Sequence, residues 1–310
     1  MPGAEDVFER SRGRLEAIAY RLLGSAQDAE DAVQDTFLRW QGADRQFIRT
    51  PEAWLTKAVT NVCLTQLSSA RHRRESYVGQ WLPEPVLDGD RMLGPAETVE
   101  QRESVSIAML ALMERLPATE RAVYVLREAF GYPHGEIAQI LEISEANSQQ
   151  LLRRARQHLS TERVKMAVDA AATRKIVEEF LAAALSGEVE PLVRLLTDDA
   201  TGVADGGGQV PARSTPIAGA LAIARVLRGV LNADTIQRFT GDVPIAFYTA
   251  IVNEGPAVVV ATGVRVLGVI SISMAADGIA ALHIQANPAK LGRLAERWVA
   301  RDDDVIQVIG

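Results

Sequence analysis

The chain has 310 residues, of which 47% are hydrophobic and 24% charged, with a formal net charge of −7 at pH 7. This length predicts roughly two or three domains with buried cores, and the negative charge excludes a protein that grips duplex DNA through a global basic field. The single cysteine, Cys63, excludes an internal disulfide bond. Because we find no membrane-length apolar run and no signal sequence, we expect a soluble, cytoplasmic protein.

The first 75 residues predict amphipathic helices. One helix ends near Gly24, and Ser25 is suited to cap the next helix. In that second helix three acids spaced at i, i+3 and i+7 form an outer ridge: Asp28, Asp31 and Asp35. Such a ridge is either a solvated surface or a docking face for a basic groove on a partner.

A third helix is predicted to begin at Pro51 and to lead into a basic segment. Between Arg45 and Glu75 the sequence contains six basic and two acidic residues, so the local net charge is +4 in a chain whose net charge is −7. Such a concentration of basic residues is typical of a nucleic-acid surface. Trp54, on the same helix, either stacks on an unpaired base or packs in the core.

Residues 76–100 are interpreted as a linker, because six glycines and prolines interrupt any regular element. The segment Trp81–Val86 (Trp-Leu-Pro-Glu-Pro-Val) places two large apolar side chains on a proline-stiffened stretch. This combination indicates a segment that docks onto another part of the protein.

A second helical domain is predicted over residues 101–163, and it ends in a helix-turn-helix. A three-residue break follows Leu141, and Ser144 is a suitable N-cap for a helix over Glu145–Leu159. The outer face of that helix offers amide and guanidinium groups suited to base edges and phosphates: Asn147, Gln149, Gln150, Arg153 and Arg154. The alternative is an ordinary helical hairpin with a solvated face.

From about residue 167 helical patterns come first and strand patterns follow, which predicts an α+β domain. Helices are predicted over 173–185, 189–196 and 217–231, and an antiparallel meander over 244–252, 257–261, 264–274 and 279–285. A curved sheet packed on helices leaves an apolar interior suited to a small molecule. The three glycines at 206–208 predict a tight turn or a close backbone approach, not a phosphate loop. Residues 299–310 are expected to be a tail.

Two motifs resemble the sigma-70 family, in its extracytoplasmic-function (ECF) type, over residues 5–162. They are Asp28–Phe37 (Asp-Ala-Glu-Asp-Ala-Val-Gln-Asp-Thr-Phe) and Leu116–Arg121 with Glu136–Ala138. The resemblance implies a multidomain fold that begins with two all-α sigma domains, a region 2 helical bundle at 1–75 and a region 4 helix-turn-helix at 101–163. It also implies RNA polymerase core and promoter DNA as partners, with no catalysis, cofactor or metal.

The resemblance further implies roles for individual residues. Core polymerase would be bound by Asp28, Asp31, Gln34, Asp35 and Leu38. The single-stranded −10 element would be bound by Trp54, Lys57, Asn61, Arg71, Arg73 and Arg74. The −35 duplex would be bound by Asn147, Gln149, Gln150, Arg153 and Arg154.

Residues 167–298 resemble the SnoaL-like domain, an α+β cone-shaped domain that one group of these sigma factors carries at its C terminus. The segments 81–85, 205–210 and 287–291 resemble that group's three hallmark segments. The resemblance implies that this domain regulates activity from within the chain. The implied interdomain residues are Trp81, Leu82, Pro83, Asp205, Gly206, Gly207, Gly208, Asn287 and Pro288.

Two other functions stay open at this point. One is a ligand-sensing regulator that binds duplex DNA without polymerase, although the acidic ridge would repel DNA. The other is a SnoaL-like enzyme domain fused to a DNA-binding module, with Asp234 and His283 as candidate acid and base. Those two residues lie in no recognisable constellation, and a histidine in an apolar strand is typical of a core. A small-molecule ligand in the C-terminal domain remains a candidate partner.

Overall fold

The computed structural model describes residues 4–75, 77–95, 98–159, 170–231, 235, 243–263, 265–298 and 305–309. The chain divides into two compact units, the first made of residues 1–76 and 89–162 and the second of residues 77–88 and 163–310. This division differs from the predicted linker over 76–100. Residues 77–88 belong to the second unit because they hydrogen bond to its strands and turns.

The described part of the first unit is built of helices, with short 3-10 turns at Arg45–Phe47 and Arg91–Leu93. The helices are α1 (Ala4–Leu23), α2 (Ala26–Gly42), α3 (Pro51–Glu75), α4 (Val99–Glu103), α5 (Ile107–Met113), α6 (Ala118–Tyr124), α7 (His134–Leu141) and α8 (Glu145–Leu159). A π-helical turn, Val125–Ala129, directly follows α6.

The helix ends follow the local signals in the sequence. Gly24 ends α1 with a positive φ of 67°, which glycine adopts without steric cost. The Ser25 hydroxyl then accepts a hydrogen bond from the Asp28 backbone N–H at 3.0 Å and caps α2. Pro51 occupies the first position of α3, where its missing N–H costs nothing.

Two fully buried arginines join the helices of the first unit. Arg21 on α1 donates to the Leu93 carbonyl at 2.6 Å and to the Ser104 hydroxyl at 2.9 Å. Arg121 on α6 donates to the Arg21 carbonyl at 3.2 Å and to the Glu114 carboxylate at 2.5 Å. Burial lowers the pKa of Arg121 to about 9, so this guanidinium still carries its charge at neutral pH.

The second unit combines helices with one mixed sheet. Its helices are α9 (Ala170–Leu185), α10 (Glu190–Leu195), α11 (Ala220–Val230) and α12 (Gly292–Arg297). Its strands are β1 (Leu196–Asp205), β2 (Ile217–Ala218), β3 (Ile245–Val252), β4 (Gly255–Thr262), β5 (Arg265–Ala275), β6 (Gly278–Gln285) and β7 (Val305–Ile309). The strand order is β2-β1-β6-β5-β4-β3-β7. Strands β3 to β6 form the predicted antiparallel meander.

Three elements of the second unit differ from the prediction. Strand β1 was not predicted, because its sequence contains a glycine and two exposed aspartates; it is stabilised by parallel pairing with β6. Residues 217–218 form the short strand β2, so α11 begins only at Ala220. The expected tail contains β7, which pairs with β3 at the sheet edge.

The sheet of the second unit carries a core on each face. Helices α9 and α11 pack on one face with Phe180 and Ile223, against strand residues such as Val258 and Ile272. Helix α12 packs on the other face, where Leu294 meets the cluster around β3 and β4. None of the described helices is long and apolar enough to cross a membrane.

Candidate nucleic-acid interface and linker clamp

Helix α8 has one buried and one exposed face. Its buried side is formed by Ser148, Leu152, Ala155 and Leu159. The Ser144 hydroxyl accepts a hydrogen bond from the Asn147 N–H at 3.2 Å and caps the helix, as the sequence predicts. The helix is tied to α7 through the contact between His134 Nδ1 and the Ser148 hydroxyl at 2.9 Å.

All five residues predicted to contact the −35 element are exposed on α8: Asn147, Gln149, Gln150, Arg153 and Arg154. A helix of 15 residues is about 22 Å long, which suits the major groove. Amide side chains pair with adenine edges, and guanidinium groups pair with guanine edges or phosphates. The exposed face of α8 therefore has the shape and the chemistry of a recognition helix.

The acidic ridge lies on the outer face of α2. Asp31, Gln34 and Asp35 are exposed, and Asp28 is half-buried at the start of the helix. Leu38 on the same helix is 56% exposed, which is high for a large apolar side chain. An exposed leucine beside a row of carboxylates fits a protein-docking face better than a purely solvated one.

The residues predicted to bind the −10 element lie along α3. Trp54 is half-buried, and its ring centroid lies 5.4 Å from that of Trp40. The Lys57 ammonium lies 2.8 Å from the Glu142 carboxylate, and Asn61 is half-buried. Because the Lys57–Glu142 pair is exposed, solvent screens it, and Lys57 can exchange the carboxylate for a phosphate.

Three further residues that are predicted to bind the −10 element lie at the end of α3. Arg71, Arg73 and Arg74 belong to the helix, which runs to Glu75. Their side chains lie outside the described part of the chain.

Asp205, at the end of β1, is the centre of a polar cluster within the second unit. The side chain is fully buried, and its carboxylate accepts hydrogen bonds from the Leu82 N–H at 2.9 Å and the Tyr77 hydroxyl at 2.5 Å. The Lys290 ammonium lies 2.6 Å from the same carboxylate. We call this set of contacts on residues 77–88 the linker clamp. It brings together the segments 81–85, 205–210 and 287–291, which lie far apart in the sequence.

Lys290 acts as the cationic half of the clamp. Its ammonium also donates to the Leu82 carbonyl at 2.8 Å, and it lies 4.2 Å from the ring centroid of Trp81 and 4.6 Å from that of Tyr77. A partly buried ammonium against two aromatic rings gains cation–π attraction in addition to its ion pair.

Amide side chains complete the linker clamp. Gln285 donates to the Pro83 carbonyl at 3.2 Å, and Asn287 donates to the Tyr77 hydroxyl at 2.8 Å. Pro288 follows Asn287 in a 3-10 turn over Pro288–Lys290. Burial, followed by the hydrogen bond to Asp205, raises the pKa of the Tyr77 hydroxyl.

A second anchor holds the far end of the same segment. Asn253 is fully buried; its side chain accepts from the Val86 N–H at 2.9 Å, and its N–H donates to the Val86 carbonyl at 3.0 Å. Leu87 forms a β-bridge with Val252. Residues 86–88 thus run against the end of β3 and the turn that follows it.

Glycines are required after Asp205 because neighbouring atoms approach the backbone there too closely to leave room for a side chain. Gly207 and Gly208 have φ values of 58° and 72°. A Cβ on Gly206 would meet the Val210 carbonyl oxygen, and one on Gly207 would meet Asn287. The tight turn predicted from the three glycines is therefore present, and it brings the backbone against the linker clamp.

Sequence reasoning missed Tyr77, Asn253, Gln285 and Lys290 as clamp residues. Lys290 lies inside the predicted hallmark segment 287–291, so a cation three residues after the Asn287 amide was a usable signal. The other three carry no local signal.

His283 is buried, but it does not face the cavity of the second unit. Its strand neighbours Leu282 and Ile284 line the cavity described below, and alternate residues of a strand point to opposite faces. Nδ1 of His283 has no hydrogen-bond partner among the described residues, and burial lowers the pKa of the ring to about 4. It is therefore a neutral core residue at physiological pH. The other candidate, Asp234, lies outside the described residues.

Acidification is expected to destabilise the second unit through His283. The unfolded chain takes up a proton near the ordinary histidine pKa of about 6.5, whereas the folded chain resists protonation down to about pH 4. Between these values the unfolded state binds more protons, so stability present at neutral pH is lost as the pH falls. The contribution is about 3 kcal/mol. Chemical denaturation at a series of pH values should show a flatter pH dependence for His283→Gln; equal slopes would contradict the assignment.

Two family descriptions match the first unit. "Sigma-70 region 2" matches residues 7–73, and "Sigma-70, region 4" matches residues 106–159. The first match contains the acidic ridge on α2 and most of α3. The second contains α5 to α8, including the exposed face of α8.

Curated relatives extend the similarity over nearly the whole chain. The chain is 37% identical to the ECF RNA polymerase sigma factor SigJ of Mycobacterium tuberculosis strain H37Rv, over 73% of this chain and 72% of that protein. It is 30% identical to the probable ECF RNA polymerase sigma factor SigI of Mycobacterium tuberculosis strain CDC 1551, over 93% and 94% of the two chains.

A solved structure is similar to both units. The crystal structure of Mycobacterium tuberculosis extracytoplasmic function sigma factor SigJ matches 93% of this chain and 98% of its own, with a TM-score of 0.72 and 30% identity. Fold, sequence relatives and the two region matches therefore agree. The chain belongs to the family of ECF RNA polymerase sigma factors.

Proposed function

We propose that the protein, which as a sigma factor binds RNA polymerase core and promoter DNA, reads the −35 element with the exposed face of α8. This proposal rests on the separation of buried and exposed residues onto two sides of that helix. Five polar side chains are exposed on one side, while Ser148, Leu152 and Ala155 hold the other side against the protein. Side chains held on a rigid, capped helix lose little entropy when they meet base edges.

The other surfaces of the first unit receive complementary roles. The acidic ridge with Leu38 would bind polymerase core, because carboxylates and an exposed apolar group complement a basic groove. Helix α3 would bind the single-stranded −10 element, with Trp54, Lys57 and Asn61 on its accessible side and Arg71, Arg73 and Arg74 at its end.

The charge of the whole chain requires polymerase as a partner for DNA binding. At a net charge of −7 the protein repels free duplex DNA at long range. Polymerase would supply most of the phosphate contacts, and the sigma factor would supply sequence discrimination. A regulator acting alone on duplex DNA is therefore disfavoured.

Arg154→Ala is expected to relax base preference at one position of the −35 element. A bidentate contact from arginine to a base contributes about 1–3 kcal/mol of discrimination, so the preferred base should lose roughly fivefold to 100-fold in selectivity. The measurement is run-off transcription by holoenzyme reconstituted from polymerase core, on a promoter pool randomised at −35.

Arg156→Ala is the matched control for that experiment. Arg156 lies on the same helix, but its guanidinium pairs with the Glu128 carboxylate at 2.7 Å. The control should keep the base preference of the original protein. An unchanged preference in the Arg154 variant would contradict the assigned role. Failure of the original protein to copurify with polymerase core would overturn the proposed function altogether.

We propose that the second unit regulates the first from within the chain, by way of the linker clamp. Residues 77–88 lie in sequence between α3 and the helices that carry α8, and two buried anchors, Asp205 and Asn253, hold them. Holding or releasing this segment changes how freely the −10 and −35 surfaces are tethered. Catalysis by the second unit is not proposed, because His283 lies on the face opposite the cavity.

A further inference from the structure

The second unit contains a cavity of about 470 Å³ between α11 and one face of the sheet. Its walls include Ile223 and Leu227 from α11 and Val260, Leu282 and Ile284 from the strands. A volume of this size is within the range of small-molecule sites, about 300–1,000 Å³.

The described lining carries a single charged group. Arg213 lies at the mouth, and Thr215 beside it is the one described lining residue with a side-chain hydroxyl. Both residues are exposed, so their polar ends are at the solvent side of an otherwise apolar cavity. The arrangement therefore has an apolar interior and a cationic entrance.

We infer that this cavity binds a monoanionic amphiphile, with its apolar body among Ile223, Val260 and Ile284 and its acidic group at Arg213. Apolar walls reward burial of a hydrocarbon body, and a guanidinium at the rim pairs with a carboxylate or sulfonate that stays partly hydrated. A dianion or a sugar would leave polar groups unpaired against the apolar walls. The described lining contains no acidic, histidine or cysteine side chain, so the site is suited to binding and not to acid–base turnover.

The cavity shares its wall with the linker clamp. Ala204 and Ala286 line the cavity and immediately adjoin Asp205 and Gln285, and the Ala286 N–H donates to the Asp205 carbonyl at 2.8 Å. Val210, another lining residue, closes the glycine turn through its N–H to the Gly206 carbonyl at 3.0 Å. An occupant that orders these residues therefore also orders the groups that hold residues 77–88, and the two events are linked reciprocally. The regulatory half of this inference rests on the proposed function; the binding half does not.

Binding is tested with the full-length protein and two probes, anilinonaphthalene sulfonate and dodecanoate. Dodecanoate should displace the fluorescent sulfonate and raise the melting temperature. Affinity should rise by about fourfold for each methylene added to shorter carboxylates, until the cavity is filled. Dodecanol, which has the same chain without a charge, should bind more weakly.

Paired variants identify the site. Val260→Trp fills the cavity and should abolish displacement, whereas Leu221→Trp places the same indole on an exposed position of α11 and should not. Arg213→Glu should weaken dodecanoate at least tenfold, while Arg225→Glu, an exposed arginine of α11 outside the lining, should not.

Hydrogen exchange separates the two halves of the inference. Saturating dodecanoate should slow exchange in residues 77–88 of the original protein and leave the Val260→Trp variant unchanged. Absence of any binding, or binding that survives Val260→Trp, overturns the site. Equal binding of dodecanol and dodecanoate overturns the anionic class. Binding without altered exchange overturns the coupling, and all of these results are independent of whether transcription from a promoter is observed.

Discussion

Replacing Asp205 by alanine is expected to release residues 77–88 from the second unit. The variant leaves the Lys290 ammonium, which is only 10% exposed, without its carboxylate, and it leaves the Leu82 N–H and the Tyr77 hydroxyl without their acceptor. Removing one partner of a buried ion pair costs about 3–5 kcal/mol, because the other charge stays buried. Local opening of the linker clamp should therefore become roughly 100-fold more frequent or greater.

Hydrogen exchange of peptides covering residues 77–88 measures this release, and reconstituted transcription measures its consequence. Asp205→Asn keeps the size and some hydrogen bonds but removes the charge, so it should lie between alanine and the original protein. Asp198→Ala is the matched control, since Asp198 is an exposed aspartate of the same strand. If exchange in Asp205→Ala matched that in Asp198→Ala, the linker clamp would not depend on this carboxylate. If exchange rose but promoter output stayed equal, the clamp would exist without regulating.

The helices of the first unit could be predicted because their signals are local. Ser25 and Ser144 cap helices that begin directly after them, and the exposed face of α8 follows from the spacing of its polar residues. The order of the meander was equally readable, since consecutive strands with short turns pair with one another. Each of these features depends on residues that are close together in the sequence.

The segments that meet in the linker clamp could be predicted from the sequence, but the individual contacts between them could not. Asp205 meets Tyr77 across 128 positions of sequence, and Asn253 meets Val86 across 167. No sequence pattern near Tyr77 or Asn253 predicts which residue each will contact in the folded protein. Strand β1 was missed for a related reason: its two exposed aspartates and its glycine oppose a strand, and pairing with β6 outweighs that preference.

The contacts within the first unit likewise depend on residues that no local pattern distinguishes. Arg21 lies in an apolar stretch of α1, where a charged side chain is unexpected, and it is fully buried. Its guanidinium donates to the Leu93 carbonyl, which is 72 positions away in the sequence, and to the Ser104 hydroxyl, which is 83 positions away. Its guanidinium also lies 5.3 Å from the ring centroid of Phe130.

Arg21→Ala is expected to be among the most damaging substitutions in the first unit. It empties a large buried volume and leaves the Leu93 carbonyl and other oxygens without their donor, mechanisms that together cost about 3–5 kcal/mol. Arg21→Lys should recover little, because an ammonium has no planar fork to bridge the Leu93 carbonyl and the Ser104 hydroxyl at once. Chemical denaturation, with hydrogen exchange of α1 and of residues 98–104, measures the loss.

The control for Arg21 is Arg39→Ala, an exposed arginine of α2, which should stay within about 0.5 kcal/mol of the original protein. Arg21→Met separates packing from polarity: it restores volume but supplies no donor, so it should remain clearly destabilised if the hydrogen bonds matter. A methionine variant as stable as the original would reduce Arg21 to a space-filling role. An alanine variant within about 1 kcal/mol would show that residues 91–95 and 98–104 are held to α1 by other contacts. Either result would separate the stability of the promoter-reading unit from this buried guanidinium.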